Sequence, residues 1–249
     1  MRFGSVDELE GALRDADYLP DRGLATSIFL ALEMRRPLLL EGEAGVGKTE
    51  VAKTLARLLD ADLIRLQCYE GIDASQALYE WDYARQLLYA RALQAGELDR
   101  ADDEFEAFLL EILSDYTVTV PEIGTIAAEV PPAVVVTSNR TRELHDALKR
   151  RCLYHWIEFP DLEREVEIIR LRAPEVPLRL ARSVAEAVSR LRDLDLVKPP
   201  GAAEAIDWAR ALALLGAEEA AGPDALQTLG WAVKNRDDLR AVEAAGLGG

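Results

Sequence analysis

Two rhythms of apolar spacing divide the chain. Up to position 160, short apolar runs alternate with amphipathic stretches, and from Asp161 onward the spacing is helical throughout. Leu24 to Met34 reads as a helix that delivers the chain to a strand at Pro37 to Leu40. Val51, Ala52, Leu55, Leu58 and Leu59 then recur at helical intervals. Leu63 to Gln67 is a second strand, and Tyr69 to Arg91 is a polar insert whose rings (Tyr79, Trp81, Tyr83, Tyr89) follow no period. Phe105, Phe108, Leu109, Ile112 and Leu113 mark another helix. Thr117 to Val120 and Thr125 to Glu129, around Pro121 and Gly124, predict a hairpin. Ala133 to Thr137 is a core strand that runs into Ser138 and Asn139, polar residues placed where a parallel strand meets the ligand side of its sheet. Farther on, Leu178, Ala181, Val184, Ala185, Val188 and Leu191 share one helix face. Pro199, Pro200 and Gly201 break the pattern before Ile206, Ala209 and Ala213 resume it, and Gly222 with Pro223 opens a last short helix. The expected fold is α/β, a doubly wound parallel sheet over residues 1–160, followed by an all-helical lid domain over 161–249.

Between the first strand and its helix lies Gly42, Glu43, Ala44, Gly45, Val46, Gly47, Lys48 and Thr49, a complete G-x-x-x-x-G-K-[ST] phosphate loop with both flanks correct. The glycines let backbone N–H groups close on phosphate oxygens at a helix N-terminus. Lys48 is placed to neutralise β- and γ-phosphates, and the Thr49 hydroxyl to take one position on Mg²⁺. ATP and Mg²⁺ are therefore the expected ligands.

Composition narrows the partners. The 249 residues are 49% hydrophobic and 30% charged, the balance of a folded globular chain. A formal charge of −16 disfavours nucleic acid and anionic membranes, because the phosphate term is repulsive over most of the surface. Neither a membrane-spanning run nor a signal-type N-terminus is visible, which points to the cytoplasm. Cys68 and Cys152, with His145 and His155, offer neither a disulfide framework nor a zinc site. The basic cluster Arg140, Arg142, Lys149, Arg150 and Arg151 falls in one segment.

Five strings, LLLEGEAGVGKTEVAKTLA, RLQCYEGIDASQALYEW, LDRADDEFEAFLLEILSD, VVVTSNRTRELHDALKRRC and KPPGAAEAIDWARAL, resemble the MoxR branch of the AAA+ ATPases over nearly the whole chain. Within that branch they are similar to the type linked to maturation of carbon monoxide dehydrogenase and related molybdenum hydroxylases. The resemblance implies an ATP-hydrolysing P-loop NTPase that assembles into a ring, often a hexamer. Its client would be a metalloenzyme, and a von Willebrand factor A-domain protein would be a partner. It also implies roles: Asn139 as the sensor-1 residue that orients the attacking water, and Arg151 as the arginine finger, with Arg150 its alternative. Glu97 would be the acidic residue that holds the water. A guanidinium finger of this kind contributes about 10³ to 10⁵ in rate.

The sequence departs from that pattern in one region. The family has four apolar residues followed by Asp-Glu; here Ala92 to Ala95 reads ALQA, Gly96 stands where Asp is expected, and Glu97 falls on the Glu position. The expectation is that the central strand is missing through a deletion of roughly a few tens of residues. The Mg²⁺ shell then lacks its outer carboxylate. That leaves a second reading, a nucleotide-binding ring subunit impaired in hydrolysis and acting as an assembly protein. A small-molecule kinase and a DNA-directed AAA+ protein are further classes, opposed by the absence of an acceptor site and by the net charge. For a sensor-2 arginine, Ala205 occupies the expected place and Arg210 is the nearest candidate.

Overall fold

The computed structural model describes residues 3–67, 92–96, 103–120, 124–128, 130–141 and 143–246. Cys68, the aromatic insert 69–91, Glu97 and Arg142 lie outside the described residues.

Contacts divide the chain into two compact units, one of residues 1–42 and 48–157, the other of 43–47 and 158–249. In the first, helices α1 (Val6–Asp15) and α2 (Arg22–Glu33) precede β1 (Leu38–Gly42). Both helices start on acceptor side chains: Ser5 Oγ takes the Glu8 N–H, and the Asp21 carboxylate takes that of Leu24 at 2.7 Å. Next come α3 (Lys48–Leu59), β2 (Leu63–Gln67), β3 (Ala92–Gly96) and α4 (Asp103–Asp115). The hairpin β4 (Thr117–Val120) and β5 (Gly124–Ala127), β6 (Ala133–Ser138), α5 (Asp146–Arg151) and β7 (Leu153–Ile157) complete the unit.

Five strands form one parallel sheet in the order β2-β3-β6-β1-β7, and β4-β5 stand apart as an antiparallel pair. The interior strand β1 is buried along its whole length, and Val134, Val135 and Val136 of the central β6 are buried beside it, as expected where helices cover both faces of a parallel sheet.

The missing strand is a correction. Ala92–Gly96 occupies the slot between β2 and β6, with Leu93 in register with Ile64 on one side and Val134 on the other. A strand bonded on both sides draws its stability from the two ladders, so Ala and Gln, weak strand formers alone, are tolerated there. β7 was also not foreseen. Its pattern is broken by an exposed Tyr154, which an edge strand paired only to β1 permits.

The second unit is built on α6 (Leu162–Arg172), α7 (Leu178–Arg192), α8 (Ala202–Leu214), α9 (Gly222–Thr228) and α10 (Arg236–Ala244). Leu180, Ala181, Val184, Ala185 and Val188 of α7 are fully buried with Ala205, Ala209 and Leu212 of α8 and Ile169 of α6. Trp208 joins this core and donates its indole N–H to Thr228 Oγ1 at 2.8 Å, so the ring is buried without an orphaned donor.

Candidate functional site: a phosphate loop

β1 ends at Gly42 and α3 begins at Lys48, so residues 43–47 form the turn that a phosphate loop requires. Gly45 and Gly47 have φ of +80° and +96°, values that L side chains rarely adopt. Lys48 is 7% exposed, and its Nζ donates to the Gly42 carbonyl at 2.7 Å, which curls the ammonium back over the start of the loop. Thr49, the second residue of α3, is half-buried. Backbone N–H groups at the start of a 12-residue helix, a buried ammonium and a hydroxyl make a donor set suited to a polyphosphate with Mg²⁺.

At the carboxyl end of the sheet, the residue that precedes Gly42 has partners of its own within the first unit. Glu41, 4% exposed, is in register with Ser138 of β6 and Trp156 of β7. Tyr154 donates its hydroxyl to Glu41 Oε2 at 3.2 Å, and Arg140 Nε lies 3.9 Å from the same oxygen, with its guanidinium 5.7 Å from the Trp156 ring centre. Burial, then the Glu41 charge, pushes the Tyr154 hydroxyl above its ordinary pKa. Asn139 follows directly on Ser138, one step beyond the residue paired with Glu41, and is half-buried. The Arg140 N–H returns to Ser138 Oγ at 3.1 Å, a turn that fixes the backbone around Asn139.

Arg151 closes α5 and is exposed. Its Nε donates to Ser114 Oγ and its Nη1 to the Ala147 carbonyl at 3.0 Å. Arg150 is exposed beside it. Gly96, in the position where a carboxylate was expected, ends β3.

The sequence reading missed a contact that belongs to the second unit. Ala202 N–H donates to the Gly45 carbonyl at 3.1 Å, and a Cβ added to Gly201 would stand 2.5 Å from Gly45 Cα. Loop and α8 thus meet backbone to backbone. Glu204 accepts the Gly201 N–H at 3.0 Å and caps the helix. Behind them, Arg192 donates through Nε to the Pro200 carbonyl at 2.8 Å, through Nη1 and Nη2 to both oxygens of Glu165, and lies 4.3 Å over Phe159. The glycine after two prolines, with Glu three residues later, was the available signal for this cap. Of the sensor-2 candidates, Ala205 is fully buried, and Arg210 bonds Glu175 at 3.1 Å and the Arg172 carbonyl at 2.5 Å. No group of metal-ligating residues occurs among the described residues, and no described helix is long and apolar enough to cross a membrane.

Residues 37–152 match the family described as AAA domain (dynein-related subfamily). The uncharacterized protein YeaC of Bacillus subtilis is 26% identical over 178 residues, an alignment that covers 66% of this chain and 55% of that protein. A mutant of Thermotoga maritima RuvB superposes with a TM-score of 0.60 at 19% identity, over 99% of this chain and 74% of that one. The T. maritima RuvB Holliday junction branch migration motor gives 0.55 at 20%, over 98% and 72%. Matched family model, strand order and loop geometry agree: residues 37–152 are similar to an AAA domain, and the chain has the P-loop fold of the AAA+ ATPases.

Proposed function

We propose that this protein binds Mg·ATP and hydrolyses it as a ring-forming AAA+ ATPase of MoxR type, remodelling or maturing a client enzyme; a molybdenum-containing carbon monoxide dehydrogenase is the client class that the sequence resemblance suggests. The observation that carries the reading is the phosphate loop, with its two left-handed glycines and buried Lys48 at the start of α3. Lys48 holds the β- and γ-phosphates, and the amides of the loop pack around their oxygens. The Thr49 hydroxyl would contribute one ligand to Mg²⁺, which would supply charge neutralisation. Asn139, Glu97 and Arg151 are assigned by resemblance to orienting water, activating it, and reaching the site of a neighbouring subunit. Arg151 would first have to leave Ser114, an exposed contact with little to hold it. Arg150 is the alternative finger.

The role named for RuvB, Holliday junction branch migration, is not carried over, because a charge of −16 opposes DNA. A von Willebrand factor A-domain partner and a hexameric ring are further parts of the proposal. A second reading, a nucleotide-binding subunit with impaired hydrolysis, is favoured by Gly96 at the end of β3, where no side chain can bind the metal's water shell. Phosphate release from Mg·ATP by wild type and by Lys48→Ala separates the two. Turnover that the substitution removes supports the hydrolase, ATP binding without turnover supports the second reading, and no ATP binding refutes both.

A further inference from the structure

At the amino ends of β1 and β6, the far end of these strands from Gly42, the first unit holds an apolar cavity of about 250 Å³. Ile28, Ala31, Leu55, Leu38, Val134 and Val135 wall it, and each of these is buried. Interiors pack to crystal density, and filling such a void with side chains would be strongly favoured. Here it is left open to the surface. The rim is rigid, because Pro131 and Pro132 form one side of it and restrict the backbone next to Val130, which is 60% exposed.

The other side of the rim is charged. Arg35 and Arg36 follow α2, both line the cavity mouth, both are exposed, and neither has an ion pair among the described residues. Arg35 has a φ of +51°, in the position after a helix where glycine is the unstrained choice. That corner is nonetheless fixed: Arg36 N–H donates to the Ala31 carbonyl at 2.9 Å and Tyr116 donates its hydroxyl to the Arg35 carbonyl at 2.6 Å. On a chain of charge −16, two guanidinium groups without an ion pair among the described residues, beside an apolar hole, form a local reversal of sign.

We propose that this cavity is a docking site for a peptide segment of a partner protein, in which one or two apolar side chains enter the hole and acidic residues following them pair with Arg35 and Arg36. The volume is below that of sites for drug-sized molecules, about 300 to 1,000 Å³, and suits a leucine- or phenylalanine-sized anchor. The charges select among apolar segments: an acidic flank is attracted to the rim, whereas most of the chain's surface repels it. The site is separate from the nucleotide loop, so it provides a place to hold a partner without obstructing the phosphates.

The test uses the full chain and fluorescence anisotropy of a labelled peptide, Gly-Ser-Leu-Phe-Asp-Glu-Ser-Gly, against one in which Ser replaces Leu and Phe. Saturable binding of the first, weakened by added salt and by about tenfold or more in the double variant Arg35→Glu/Arg36→Glu, is the expected result. Ala133→Phe, which fills the cavity from β6, should abolish it; the surface arginine variant keeps the test decisive if that protein does not fold. ATP-induced thermal stabilisation should be unchanged in the arginine variant, so a failed docking site is told apart from a failed nucleotide site. Absence of saturable binding, or equal binding by the Ser-substituted peptide or by the double variant, overturns the proposal. So does a concentration-dependent rise in mass that the double variant abolishes, which would place a second copy of this chain on the cavity instead.

Discussion

Glu41 of the α/β unit and Glu165 of the helical unit are buried to nearly the same depth, 4% and 1% exposed, but they are held in opposite ways. Glu165 receives both Nη groups of Arg192, itself almost buried, and the same guanidinium fastens Pro200 and covers Phe159. Burial pushes the Glu165 carboxyl up in pKa, and Arg192 pulls it part of the way back. Glu41 instead has an exposed tyrosine at 3.2 Å and an exposed arginine at 3.9 Å. A charge whose hydrogen bonds are saturated by one rigid fork fixes a shape, while one held loosely by surface side chains at a strand end can change partners. The first describes a structural clamp, the second the border of a binding site.

Arg192→Met should break the comparison most severely. It leaves Glu165 buried without its partner, and a loss of about 3–5 kcal/mol in unfolding free energy is expected from denaturant melts. Adding Glu165→Leu to that variant should recover most of the loss, because a buried pair can be replaced by apolar groups at little net cost.

Lys48→Ala should act in the other direction, lowering ATP affinity about 100-fold in a titration while the melting curve without nucleotide stays close to wild type. An equal loss of stability would mean that Lys48 belongs with the clamp.

Glu41→Gln sharpens the contrast. It keeps the acceptor for Tyr154 and removes only a long-range charge, so unfolding free energy should change by about 1 kcal/mol or less. A loss as large as that of Arg192→Met would show that the looseness of its contacts is misleading.

The smallest effect is expected at His155 of β7. Its Nε2 is buried without a hydrogen-bond partner among the described residues, its Nδ1 lies 3.3 Å from Ser27 Oγ, and burial lowers its pKa below the ordinary imidazole value of 6.5. The folded state then binds its proton later than the unfolded chain. Stability from this neutral ring is complete above the ordinary value and declines as pH falls through it toward the lowered one. Comparing melting temperatures of wild type and His155→Gln from about pH 8 to about pH 5 should show wild type losing slightly more on the acid side.

Much of this was legible in residue order. β1 and β6 open on continuous apolar runs, β2 is an apolar segment interrupted by Arg65, the hairpin is punctuated by Pro121 and Gly124, and the loop motif names its own chemistry. Ala92–Gly96 was not legible, because its place depends on the ladders of β2 and β6 on either side, partners supplied from distant parts of the chain. β7 was hidden for a related reason, since an edge strand need not bury alternate residues. Around the loop, Lys48 and Thr49 could be assigned from spacing alone. Arg192 and the seating of the Gly201 cap against the loop could not, because what matters is a carbonyl and an N–H brought together from positions 45 and 202.

The meeting of Gly45 and Gly201 leaves room for hydrogen alone at either position. Gly201 has an ordinary φ of −87°, so alanine there is opposed by the crowding and not by its own backbone. A single added carbon therefore serves as a wedge under the nucleotide loop, and its tolerance in cells would report whether that loop must stay seated or must lift during each cycle of work.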